Sequence, residues 1–214
     1  MGATAIQKKL DKAHKKVGLK LGEEFGLYRP IINTSILNLE NWMADVKATY
    51  TLSDSYTTAL NWQVPVWTCY TEAALIAEGD FLYNDLTEKT YFILARQPLL
   101  PVLALECPHK ASLQTVGYGN TGTGFAPGAL TYIAEDIPGF MQYGSTTKSG
   151  SYPGANSKAG VRTATFITTF PNPEMLMGAI LTDAHGFKGN VIGYDYSALG
   201  KSVKITAQEM DTPQ

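Results

Sequence analysis

Asp183 and His185, in the run "DAHG", are the residues whose types and spacing come nearest to catalytic chemistry. On a strand, side chains two apart share a face, so a carboxylate and an imidazole at this spacing could begin a proton relay. A relay also needs a third group. The chain has no Gly-x-Ser-x-Gly elbow, no HExxH pair and no cysteine in a nucleophile setting. Asp183 and His185 therefore read as a surface turn. The run "GYGNTG" places Gly117, Gly119 and Gly122 in a GxGxxG pattern, with Asp136 further on. A dinucleotide site needs a helix directly after the glycines, and Gly124, Pro127 and Gly128 forbid one. Glu23–Glu24 and Glu135–Asp136 are adjacent pairs, which point to different sides of most backbones and make poor acid/base partners. His14 lies among lysines and His109 follows Pro108. Cys69 and Cys107 stand far apart without CxxC spacing and read as buried free thiols. No catalytic, metal or cofactor residue is assigned, and no cofactor is expected.

The strongest functional signal is charge. The chain of 214 residues has a net charge of −2, yet residues 1–20 hold six lysines against one aspartate, a net of +5 that leaves −7 on the rest. Within "TAIQKKLDKAHKKV", Ile6, Leu10, Ala13 and Val17 recur at helical spacing, which predicts a helix over 4–17 with Thr4 as cap and Gly18 as stop. Such a short helix is marginal alone and must dock on something. Its lysines suit an acidic protein surface or nucleic acid. The protein partner is favoured, because no aromatic or base-reading element accompanies them. Ile6, Leu10, Lys12, Lys16 and Val17, with Tyr28 and Arg29 where the chain leaves the arm, are the candidate assembly interface.

Positioning these residues falls to a body rich in strands. The 20 glycines, 11 prolines, 12 tyrosines and 17% charged residues favour turns and strands over helices. "VKATYTL", "WQVPVWTCY", "VLALEC" and "VRTATFITTF" read as strands, and "DFLYN" and "TYFILA" as a hairpin about "DLTEK". "GNVIGYDYSALGKSVKITAQEM" supplies two more. The expected fold is mainly β: an N-terminal amphipathic helical arm (1–26), then β-sandwich or β-barrel-like domains over 27–116 and 117–214, with a long exposed loop at 145–160. No internal repeat at a solenoid period is visible. In "QPLLPVLALEC" the prolines Pro98 and Pro101 predict a rigid buried elbow between strands. No secretory signal or apolar membrane-spanning run is visible, so no membrane partner is expected.

Over roughly residues 18–115 the chain resembles structural proteins of the head–tail region of tailed bacteriophages. The matching segments are Tyr28-Arg29-Pro30, Pro65-Val66-Trp67, Gly79-Asp80-Phe81-Leu82, Tyr91-Phe92, Gln97-Pro98-Leu99-Leu100-Pro101 and Cys107. Glu106 departs from the pattern, which has a basic residue there. The resemblance implies a non-enzymatic virion protein assembled in the host cytoplasm: a collar or neck subunit that forms a ring with copies of itself and meets portal, connector or tail proteins. A tail or baseplate subunit is the nearest alternative. From other classes, a small β-domain hydrolase using Asp183 and His185, or a carbohydrate-binding module built on the aromatics, competes with it.

Overall fold

The computed structural model describes residues 2–30, 35–52, 64–120, 125–145, 162–169, 176–196 and 202–210. The 145–160 loop, beyond Ser145, and Gly122 lie outside them. Among the described residues the chain forms one α-helix, α1 (Ala3–Leu21), a single 3-10 turn at Leu39–Asn41, and twelve antiparallel strands. The first six are β1 (Glu23–Tyr28), β2 (Trp42–Leu52), β3 (Trp67–Tyr70), β4 (Phe81–Asn84), β5 (Lys89–Ala95) and β6 (Val102–Glu106). They close into a barrel in the order β1-β2-β3-β6-β5-β4. The second six are β7 (His109–Asn120), β8 (Phe125–Ser145), β9 (Arg162–Thr169), β10 (Ile180–Asp183), β11 (Lys188–Tyr196) and β12 (Ser202–Glu209). They close as β7-β8-β9-β12-β11-β10. The mainly β, arm-plus-barrel architecture is thus as expected. Closure leaves no unpaired sheet edge in either unit.

The two barrels have one topology, and the likeness reaches single residues. Gly79 and Gly178 both take positive φ before the fourth strand of their barrel. Gly79 donates its N–H to Ile93 O and Gly178 to Val191 O, and the return bonds run from Ile93 N to Asp80 O and from Val191 N to Ala179 O. Register shifts fall at Leu27/Tyr28 and Leu113/Gln114, and again at Ile93/Ala95 and Val191/Gly193. The Thr71 hydroxyl donates to Lys47 O at 2.9 Å, and the Thr168 hydroxyl to Pro138 O at 2.8 Å. Asn84 and Asp183 end the fourth strands and staple the next turn, each accepting two main-chain N–H groups. The repeat escapes the sequence because these devices constrain backbone geometry more than residue type.

Where the repeats differ, the physics is legible. Strands β5 and β6 are buried on both faces, in the patterns eBBBBBB and BBBBi, so "TYFILA" and "VLALE" are apolar almost throughout. Ile93, Val102 and Ala104 point into the first barrel. Phe81, Phe92, Leu94 and Leu105 point out of it and join one continuous cluster with Ile137, Phe166 and Ile205 of the second barrel. The register makes Asn190 the counterpart of Phe92, Ile192 of Leu94 and Gln208 of Leu105. All three are exposed. An apolar outer face carries the second barrel, and the equivalent face of the second barrel meets solvent.

Three sequence expectations change. The change of texture placed a boundary at Gly117, but β7 pairs with β8 and β10, so the barrels divide at Cys107-Pro108. Likewise β1 begins at Glu23, within the stretch assigned to the arm. The helix runs through Gly18 to Leu21 and starts from Gly2 without a side-chain cap, so neither Thr4 nor Gly18 punctuates it. Gly18 is there for close approach: a Cβ would lie 2.6 Å from Tyr70 O and 3.0 Å from Lys47 O. The proline elbow is not buried. β5 and β6 pair directly as a hairpin. Gln97–Leu100 is the tip of that hairpin, closed by Leu100 N to Gln97 O at 3.3 Å. Leu99, with φ +63, sits where a turn of this kind favours glycine.

Candidate functional site

The arm meets the first barrel through one of its faces. Lys15 Nζ lies 2.5 Å from Glu72 Oε1, the His14 ring packs edge-on against Tyr70 at 5.3 Å, and Gln7 Oε1 accepts the N–H of Leu99 at 2.5 Å. Gln7, Asp11, His14 and Gly18 recur at i, i+4, i+7 and i+11, so the docked face is polar. The expected apolar stripe, Ile6, Leu10, Ala13 and Val17, is the set of residues one position earlier, turned roughly 100° about the axis. It is not consumed by docking: Ile6 is 42% exposed, Ala13 is exposed, and Leu10 and Val17 are half-buried. Beside it, the hairpin tip holds out Leu99 (41% exposed) and Leu100 (42% exposed) on a strained backbone. Sequence reasoning missed these two leucines because flanking prolines and an apolar run look the same at a tip as in a core.

The other candidate interface residues separate. Lys12 and Lys16 are exposed on a further face of the helix. Tyr28 is half-buried against the shared core. Arg29 is engaged within its own chain. Its Nε and Nη2 each lie 2.8 Å from an oxygen of Asp80, a residue only 1% exposed, and Nη2 also reaches Leu75 O at 3.2 Å. Asp80 Oδ2 further accepts the N–H of Ala77 at 2.6 Å, so the buried carboxylate is well satisfied. The Tyr-Arg-Pro and Gly-Asp-Phe-Leu segments, 51 residues apart, are thereby two halves of one clamp.

In the second barrel, Asp183 is buried rather than on the surface. Its Oδ1 accepts the N–H groups of His185 at 2.9 Å and Phe187 at 2.7 Å, and its Oδ2 accepts the Tyr143 hydroxyl. Burial and this carboxylate push Tyr143 up to about 12. Asp183 thus meets His185 through the main chain, not the imidazole. The His185 ring instead lies edge-on to His109 at 6.2 Å. Both line a cleft of about 500 Å³ with Glu88, Lys89, Glu106 and Lys110. His109 Nδ1 accepts the N–H of Met141 at 3.1 Å. Burial, then the neighbouring His185, hold His109 below the ordinary value of 6.5, while Asp183 acts in the opposite direction. A histidine depressed in the folded state gives full stability above pH 6.5 and loses it as pH falls toward the folded pKa. His109→Gln keeps an acceptor for Met141 and should flatten the difference in melting temperature between pH 7.5 and 5.5 relative to wild type. Parallel profiles for the two proteins would count against this role.

Cys69 and Cys107 are buried free thiols, as the sequence suggested. Burial pushes Cys69 up to about 12 and Cys107 higher still. Among the described residues, no group of three or more His, Cys, Asp or Glu could hold a metal ion. No described helix is long and apolar enough to cross a membrane.

These features define a class: a tandem β-barrel protein with a basic helical arm and an apolar surface where the arm meets a hairpin tip. No protein family, curated protein or solved structure matches the chain.

Proposed function

We propose that the protein is a structural subunit of a tailed-bacteriophage virion, forming a ring with copies of itself at the neck, around the connector. The observation that carries the reading is the arm's docking through its polar face, which leaves Ile6 exposed and Leu10 and Val17 half-buried along its flank, with exposed Leu99 and Leu100 held out next to Gln7 at the start of the helix. Apolar groups gathered at one place mark an interaction surface rather than scattered exposure. The helix is already ordered against its own barrel, so a neighbour binding its flank meets a pre-formed surface and the cost of ordering the arm is reduced. The resemblance over residues 18–115 supplies the setting, and the leucines of its central Gln-Pro-Leu-Leu-Pro segment are among those held out.

The test is the oligomeric state. Wild-type protein is expected to form a closed oligomer by native mass spectrometry and to occupy the neck in cryo-electron micrographs of particles. Ile6→Asp with Leu100→Asp should give a monomer with unchanged circular dichroism and melting temperature. A wild-type protein that stays monomeric at every concentration, in the presence of its connector, would overturn the proposal.

A further inference from the structure

Lys8, Lys12, Lys16 and Lys20 recur every four residues along α1, and all four are exposed. Four residues advance a helix about 6 Å, so the ammonium groups form a line roughly 18 Å long. None of the four makes an ion pair among the described residues. Lys15, by contrast, is held by Glu72. The only carboxylate on the helix, Asp11, belongs to the docked face and accepts from Gln7 Nε2 at 2.7 Å. Like charges at i and i+4 repel and weaken a helix, and here three such pairs follow one another. Lys8 and Lys12 lie on the side of the helix away from Ile6, Leu10 and Val17, while Lys16 and Lys20 border that flank at i+3 from Ala13 and Val17, so a neighbour seated there would leave the first half of the stripe open.

We infer that this stripe binds the phosphate backbone of nucleic acid. Evenly spaced single charges, without hydrogen-bonding variety or aromatic groups between them, match a polymer of evenly spaced charge and no particular sequence. A protein surface would need carboxylates at the same regular interval. Several of this chain's own acids are engaged, Glu72 with Lys15, Asp80 with Arg29 and Glu209 with Arg162. The body carries −7, and Glu24, Asp45 and Glu72 line the groove beside Lys15 and Leu19. They repel phosphate and confine its contact to the stripe. Nucleic acid thus ranks, on this inference, ahead of the protein partner favoured from the sequence. The inference stands apart from the ring reading and does not need it.

Fluorescence anisotropy of the full chain with labelled duplex DNA, over a salt series, tests it. Four contacts predict a slope of log K against log salt of about −3.6, and Lys12→Gln with Lys16→Gln should make it shallower by about 1.8. Lys15→Gln should leave it unchanged, and circular dichroism checks that each variant keeps its helix. Absence of binding at low salt would overturn the inference. So would a slope unchanged in the double variant, which would place binding elsewhere. If the double variant loses oligomers but keeps wild-type DNA binding, the stripe serves a protein contact and the inference fails while the ring reading stands.

Discussion

Replacing Phe92 with alanine should destabilise the protein by about 4 kcal/mol. The side chain is fully buried, packs on Phe81 at 5.2 Å, and belongs to the cluster that unites the barrels. Truncation there removes a large apolar group from a site fixed by strands on both sides, which cannot collapse to fill the space. Asn190 is the internal control. It holds the same register position in the second barrel, on a face that meets solvent. Asn190→Ala should change stability by no more than about 0.5 kcal/mol. Urea denaturation followed by tryptophan fluorescence and circular dichroism would show both values. Because the cluster is continuous, the Phe92 variant should lose fluorescence and dichroism together. Equal costs at the two positions, or a loss below about 1 kcal/mol for Phe92→Ala, would show that the outer face of β5 does not carry the second barrel.

Arg29→Thr should cost about 3 kcal/mol, because it leaves the Asp80 carboxylate buried without its cation. The second barrel shows what a neutral version looks like. Carrying the register of β7 onto β1 places Thr115 where Arg29 stands, and the fourth-strand register places Ala179 where Asp80 stands. Both partners are neutral together. The double variant Arg29→Thr, Asp80→Ala should therefore recover about 2 kcal/mol of the loss, read as a coupling energy in a double-mutant cycle. Lysine at position 29 should rescue poorly, since a point charge cannot form the two parallel bonds of the guanidinium. Additive effects of the single variants would mean that the clamp is not a unit. Because Arg29 acts inside the subunit, its loss should lower stability first and oligomerisation only as a consequence.

Much of the fold was readable in residue types and their period. The alternation of "VRTATFITTF" gave β9, and "DLTEK" between two aromatic runs gave the β4–β5 hairpin, because local pleating and turn chemistry act over a few residues. β8 was not readable. Its pairing with β7 shifts register at three places and Asp136 takes φ +50, so no single period runs through it. The candidate surface was half legible. The stripe of Ile6, Leu10, Ala13 and Val17 is a helical pattern, but the face that docks, Gln7, Asp11, His14 and Gly18, has no hydrophobic signature.

The sequence by itself determined the basic arm, the strand-rich body and the two free thiols, since charge, propensity and spacing are properties of neighbouring residues. Only the tertiary structure decided that the body is one barrel topology used twice, that Arg29 and Asp80 form a single clamp, and that Leu99 and Leu100 face outward. Each depends on which distant strands pair and which outer face is covered. Long-range register sets those outcomes, and a twofold side-chain period leaves them open.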